Sequence, residues 1–309
     1  MTADIKVNAK PVPPLVRGRM GMVGRYCRLI GGREKVIIDA SPAAPPTPKT
    51  ISSTLKTLKV KMSNVINPSS DHEVEPLTPE EIQQAYDLYI KIQGGEPRDT
   101  VEPSEDQLAG LAALIREHKA PYADFAIWGK ADSAKIKAAK MRGMRPMPDG
   151  SWVQVEVTGP GSLEAWRECY KVFKTAAIML NILTPETCDR YMDYIEEQHR
   201  QYGAGCWHLI YEADCMAREK QWERVRRRAK RLSNAAQAVG KHATYDPAKP
   251  WECAMDMLID DLTFWQRSLV NPCTVLLSTH RKAAEDAKES NKRQADGPPA
   301  GEPAPKRTG

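Results

Sequence analysis

The sequence predicts a mainly α protein: a helical core with a short two-stranded β element, set between disordered, proline-rich tails. Three observations carry that prediction. Apolar residues recur at three- and four-residue steps through the middle of the chain. Helix-start signatures such as Thr78-Pro79-Glu80-Glu81 precede those stretches, and prolines crowd both ends of the chain.

At 309 residues the chain is long enough for one or two domains with a real core. Only 41% of it is apolar and its mean hydropathy is −0.54, so part of it is expected to stay unfolded. No apolar run approaches the roughly 20 residues that span a bilayer. The first residues carry no apolar segment ahead of a small-residue cleavage site, so the expectation is a soluble, cytoplasmic protein. Lys292-Arg293 and Lys306-Arg307 form a weak nuclear-import pattern.

The expected organisation has four parts. Residues 1–76 form a basic, Pro-rich, largely disordered arm. Within it, 26–30 and 35–38 flank Gly31-Gly32 as a candidate hairpin. Residues 77–232 form the mainly helical core, 233–280 add further helices, and 281–309 are a disordered tail.

Within the core, Thr78-Pro79-Glu80-Glu81 is a capping box with proline at the first helical position, and Gly94-Gly95 ends the helix it opens. Ser104 to Gln107 repeats the device ahead of Leu108, Leu111, Leu114 and Ile115. Residues 122–128 and 152–157 read as strands. Between them lie 131–141, read as a basic helix, and the turn-forming Pro148-Asp149-Gly150. Ser162 caps a helix whose Trp166, Cys169, Tyr170, Phe173, Ala176, Ala177 and Leu180 form a core-facing stripe. Thr184-Pro185 starts another helix, which stops near Gly203. A third runs from about Cys206 past Arg231, with Trp207, Ile210, Tyr211, Trp222 and Val225 on or near one side, and 251–269 is helical as well. Trp128, Trp166 and Trp207 are expected in the core.

Motifs for chemistry are absent. Gly18, Gly21 and Gly24 lack the spacing of a dinucleotide loop and the Lys-Ser/Thr of a P-loop. Neither a G-x-S-x-G elbow nor an H-E-x-x-H pair occurs. The seven cysteines (27, 169, 188, 206, 215, 253 and 273) include no C-x-x-C pair, so they read as reduced core thiols. Cys206 and His208 lie two apart on a helix and point to opposite sides, which leaves His208 and Cys215 short of a zinc site. Tyr191-Met192-Asp193-Tyr194 lacks the second aspartate of a polymerase metal site and continues as helix. The expectation is a non-enzymatic protein with no cofactor, no metal and no small-molecule substrate.

Charge is segmented. Residues 1–70 hold twelve Lys or Arg against three acids, 71–129 hold four against thirteen, and 218–231 hold eight against two. The last segment supplies the candidate site: Arg218, Lys220, Trp222, Arg224, Arg226, Arg227, Arg228, Lys230 and Arg231. Clustered guanidinium groups favour phosphates because each neutralised phosphate releases condensed counterions, and an aromatic beside them can stack a base. The competing reading is a solvated helix whose Glu219 and Glu223 pair with neighbouring arginines along the helix. The basic arm and Lys135, Lys137, Lys140, Arg142 and Arg145 are candidates to extend the surface.

Several phrases occur together in order: Glu102-Pro103-Ser104-Glu105-Asp106-Gln107-Leu108, Ala120-Pro121-Tyr122-Ala123-Asp124-Phe125-Ala126-Ile127-Trp128-Gly129, Gly159-Pro160 with Trp166, Ala176-Ala177-Ile178-Met179-Leu180, Asp189-Arg190-Tyr191, and 207–216. Over about 100–230 the chain resembles a multi-copy family of dinoflagellate proteins associated with retroelements. The resemblance implies a Gag-like protein that packages element RNA and self-associates, with RNA ahead of DNA as partner and no membrane. Many members carry a downstream cysteine and histidine knuckle; no cysteine follows Cys273 here, so either binding falls to the Arg-rich helix or the knuckle has been lost. The alternative is a helical protein-interaction module that binds no nucleic acid.

Overall fold

Helix starts in this chain are fixed by side chains that accept otherwise unpaired backbone N–H groups. In the computed structural model, which describes residues 58–129, 139–147, 149–240 and 245–295, Thr78 and Ser104 both close reciprocal capping boxes, with Glu81 and Gln107. They open α2 (Pro79–Gln93) and α3 (Glu105–Arg116), and Gly94 ends α2 in the left-handed conformation at φ 79°. Ser162 and Thr184 cap α4 (Leu163–Met179) and α5 (Pro185–Tyr202) in the same way.

The chain divides into two units, Met1–Thr54 and Leu55–Gly309. The first, with the candidate hairpin at 26–38, lies outside the described residues. The second begins earlier than the sequence predicts. Strands β1 (Val60–Lys61) and β2 (Glu73–Val74) pair antiparallel around the helical turn α1 (Met62–Val65), and Val60, Met62 and Ile66 are buried against α3. These few apolar residues anchor a segment whose composition reads as disordered.

The main β element is a hairpin of β3 (Ala139–Pro146) and β4 (Trp152–Gly159), in the register Gly143↔Val155. Two expectations are corrected here. Residues 139–141 are strand rather than helix, and 130–138 lie outside the described residues. Residues 122–128 are not a strand: Asp124 accepts the N–H groups of Ile127 and Trp128 on its carbonyl and that of Ala126 on its side chain, which winds the segment into a turn.

Helix α4 is central, touching α2, α3 and α5, and its aromatic stripe meets that buried turn. The rings of Trp166 and Tyr170 stack at 4.8 Å, and Phe125 meets Trp166, Tyr170 and Phe173 at 6.1 to 6.4 Å. Trp128, Trp166 and Trp207 are all buried, as expected. Helix α6 (Trp207–Met216) packs on both α5 and the hairpin. The hairpin comes so close because it presents glycines to α6: a Cβ on Gly143 would enter the His208 ring, and one on Gly159 the Tyr211 ring.

The same helix continues through a wide turn at Ala217–Gln221 into α7 (Trp222–Ala238). After it come α8 (Pro250–Ile259), α9 (Leu262–Trp265), a second wide turn and α10 (Asn271–Ala295). Trp251, Met255, Leu258, Trp265, Leu269 and Cys273 join the same core cluster, so α8, α9 and the start of α10 belong to the packed body. The described cysteines are unbridged; Cys169, Cys188, Cys206 and Cys273 are buried. The expected tail at 281–309 is helical as far as Ala295, where alanines and i,i+4 acid–base spacing favour helix. No described helix is long and apolar enough to cross a membrane.

Candidate nucleic-acid interface

The Arg-rich segment is held by a carboxylate that never reaches solvent. Asp214, on α6, is 0% exposed and accepts four hydrogen bonds. Trp166 Nε1 donates at 3.0 Å, Tyr191 Oη at 2.8 Å, and Arg218 Nε and Nη2 at 2.9 and 2.6 Å. Arg218 is also 0% exposed, and its Nη1 donates to the Ala123 carbonyl at 2.7 Å. Its guanidinium lies 3.9 Å from the centre of the Phe125 ring. Burial works against the Arg218 charge, but Asp214 outweighs it and drives the arginine pKa up. Burial first, and then the Asp214 charge, push the Tyr191 phenol far above its ordinary value, so its hydroxyl stays a donor.

The predicted interface is therefore corrected at two residues. Arg218 cannot meet a phosphate, because it is sealed in the core against Asp214. Trp222 cannot stack a base: it is 0% exposed, its Nε1 donates to the Trp251 carbonyl at 2.9 Å, and its ring meets Trp251 edge-on at 5.5 Å. Arg226 is mostly withdrawn as well. It lies 4.6 Å over the Trp251 ring, pairs with Glu223 at 2.9 Å and donates to the His118 carbonyl at the end of α3. That carbonyl belongs to the negative end of the α3 dipole, and His118 itself is in a left-handed conformation at φ 56°.

The remaining charges face outward. Arg224, Arg227, Arg228 and Arg231 sit at i, i+3, i+4 and i+7, which makes a single stripe on α7. Lys220 extends the stripe by one turn, and Lys230 flanks it. The wide turn at Ala217–Gln221 sets this phase. An i→i+5 turn adds close to one residue to the helix, so Ala229 and Ser233 face inward while Arg228 and Leu232 turn to solvent. Two of the arginines have weak local partners: Arg227 meets Glu223 at 3.4 Å and Arg224 meets Gln221 at 3.3 Å. Among the described residues, Arg228, Lys230 and Arg231 have no carboxylate within ion-pair distance.

The other basic candidates do not extend this stripe. Lys140 and Arg142 pair with Glu156 across the hairpin, and Arg145 pairs with Glu212. Lys135, Lys137 and the arm at 1–57 lie outside the described residues.

A cavity of about 450 Å³ opens beside the stripe and shares Arg227 with it. Met62, Ile66, Leu114 and Tyr122 give it an apolar side; Asn67, Ser70, His118 and Glu219 give it a polar one. Its size is that of a small-ligand pocket. It leaves no trace in the sequence, because its lining comes from three separate stretches, 62–70, 114–122 and 219–227, with no shared period. Among the described residues, no group of three or more His, Cys, Asp or Glu is arranged to hold a metal.

No protein-family model matches the chain, and neither a curated protein nor a solved structure does.

Proposed function

We propose that the chain is a non-enzymatic nucleic-acid-binding protein of Gag-like, retroelement origin, and that Arg224, Arg227, Arg228 and Arg231 contact the phosphate backbone with Lys220 and Lys230 beside them. The observation that carries this reading is the exposed stripe: arginine side chains at helical spacing, of which, among the described residues, only Arg227 meets a carboxylate, Glu223 at 3.4 Å. A guanidinium offers a planar fork to phosphate oxygens, and each phosphate it neutralises releases counterions into solution. The stripe is mounted on a helix locked at its base by Asp214 and Arg218, so the backbone that presents the charges has little freedom to lose on binding. No base-reading side chain lies on the stripe itself, so this contact positions a strand and carries no sequence information.

A second reading, the protein-interaction module, draws on Leu232 on the far half of α7 and Val239 just past its end, which are 55% and 68% exposed. An apolar patch next to charge also suits self-association of this chain.

Fluorescence anisotropy with labelled RNA and DNA separates the readings. The nucleic-acid reading expects micromolar binding at low salt, lost in Arg224→Glu/Arg228→Glu and unaffected by Leu232→Ser/Val239→Ser. Absence of binding at low salt would overturn it in favour of the interaction module.

A further inference from the structure

We propose that the cavity beside the arginine stripe accepts one unpaired nucleobase bearing an exocyclic amino group, which makes the ligand of this surface a single-stranded polynucleotide. The inference rests on the phosphate-binding reading above and adds the base to it.

Three features of the cavity carry the argument. First, it is continuous with the stripe: Arg227 both belongs to the exposed arginine row and lines the cavity. A strand whose phosphates follow Arg224, Arg227 and Arg228 therefore passes the cavity mouth. Second, the lining matches a base in kind. Met62, Ile66, Leu114 and the Tyr122 ring give apolar surface for a flat heterocycle, and a cavity of about 450 Å³ has room for a base with part of its sugar. A paired base inside a duplex cannot leave the stack to enter without the cost of unpairing.

Third, the polar groups discriminate. Glu219 faces the cavity, and its ion-pair partner is Lys220, an exposed side chain 3.8 Å away. A carboxylate so loosely engaged is a strong acceptor for an amino group such as cytosine N4. Uracil and thymine carry no exocyclic amino group and offer a carboxylate only the ring N3–H. Asn67 has its Oδ1 occupied by the Ser69 N–H at 3.0 Å, which leaves its Nδ2 hydrogens for ring or carbonyl acceptors. Glu223, the other carboxylate of the lining, is engaged by Arg226 and Arg227, which leaves Glu219 as the acceptor open to the cavity.

The test is anisotropy with labelled single-stranded homopolymers of A, C and U and with a duplex, using the full chain and two variants. Glu219→Ala removes the acceptor at an exposed site, and Ser70→Phe fills the cavity. We expect A and C strands to bind about tenfold more tightly than U strands, a modest value for one base contact. In Glu219→Ala the preference should vanish while U-strand affinity rises, because a negative charge near the phosphates is gone. A merely structural role for Glu219 would lower all three affinities together. Ser70→Phe should bring A and C strands down to the U-strand level. If all three homopolymers bind equally, and the variants change nothing, the base pocket is refuted and the arginine stripe stands. If no strand binds at low salt, the phosphate-binding reading itself falls and the pocket with it.

Discussion

Replacing Arg218 by methionine tests the division of the Arg-rich segment into a buried anchor and an exposed face. Methionine fills much of the same volume without the charge. The variant loses both hydrogen bonds to Asp214, at 2.9 and 2.6 Å, the bond to the Ala123 carbonyl at 2.7 Å, and the guanidinium contact with Phe125. Asp214 keeps only Trp166 and Tyr191 as donors, and its charge stays in a site with no solvent. Breaking a buried ion pair by removing one partner costs about 3–5 kcal/mol. In urea, with a slope of about 3 kcal/mol/M, the midpoint should fall by roughly 1 M or more. Changing Asp214 to Asn in the same chain should cost less than the sum of the two single changes, because the second substitution removes a partner already lost. Arg228→Met, on the exposed stripe, should stay within about 0.5 kcal/mol of the parent. An Arg218→Met loss below about 1 kcal/mol would contradict a buried Asp214–Arg218 anchor and return Arg218 to the surface.

Two further outcomes concern the seat of the hairpin on α6. Gly143→Ala should cost about 1–3 kcal/mol in a thermal melt, because its Cβ enters the His208 ring; a neutral result would mean that the hairpin does not rest there. His208, 8% exposed, has its pKa held below the ordinary 6.5 by burial, with the nearby Arg145 charge adding to the effect and its bond to the Met144 carbonyl opposing it. As pH falls through 6.5 the unfolded chain takes up this proton first, so the stability contribution is full above 6.5 and declines below it. His208→Asn should flatten that decline in urea titrations at several pH values, and an unchanged slope would place its cause elsewhere.

Helix starts were legible because they are local chemistry. Thr78, Ser104, Ser162 and Thr184 each accept an N–H two or three residues into the helix, and nothing distant overrides them. The stripe from Trp166 to Leu180 was legible for a similar reason, as one long period on one element. Strand β3 was not: in Ala139–Pro146 one face holds Met141, Gly143 and Arg145 and the other Lys140, Arg142 and Met144, so neither side reads as hydrophobic. Its glycine is there for His208, sixty-five residues away. The turn at 122–128 reads as a strand because Tyr122, Phe125, Ile127 and Trp128 favour one, although the hydrogen bonds to Asp124 wind it up.

The candidate site was half legible. The charge run was plain, and which of its members face solvent was readable in principle: Arg218 continues the line through Trp207, Tyr211 and Asp214, all core positions, while Trp222 and Val225 follow it. A basic residue on an apolar stripe, four after an aspartate, points to a buried pair. The wide turn that re-phases α7, and the cavity that it borders, leave no such trace.

The measurement that bears most directly on the account is the salt dependence of single-strand binding, compared between the parent chain and Arg224→Ala/Arg228→Ala. Each phosphate contact on a single strand contributes about 0.7 to the slope of log affinity against log salt. The slope should be steep in the parent and shallower by roughly 1.4 in the variant, with the melting temperature unchanged. Identical slopes in the two proteins would contradict it.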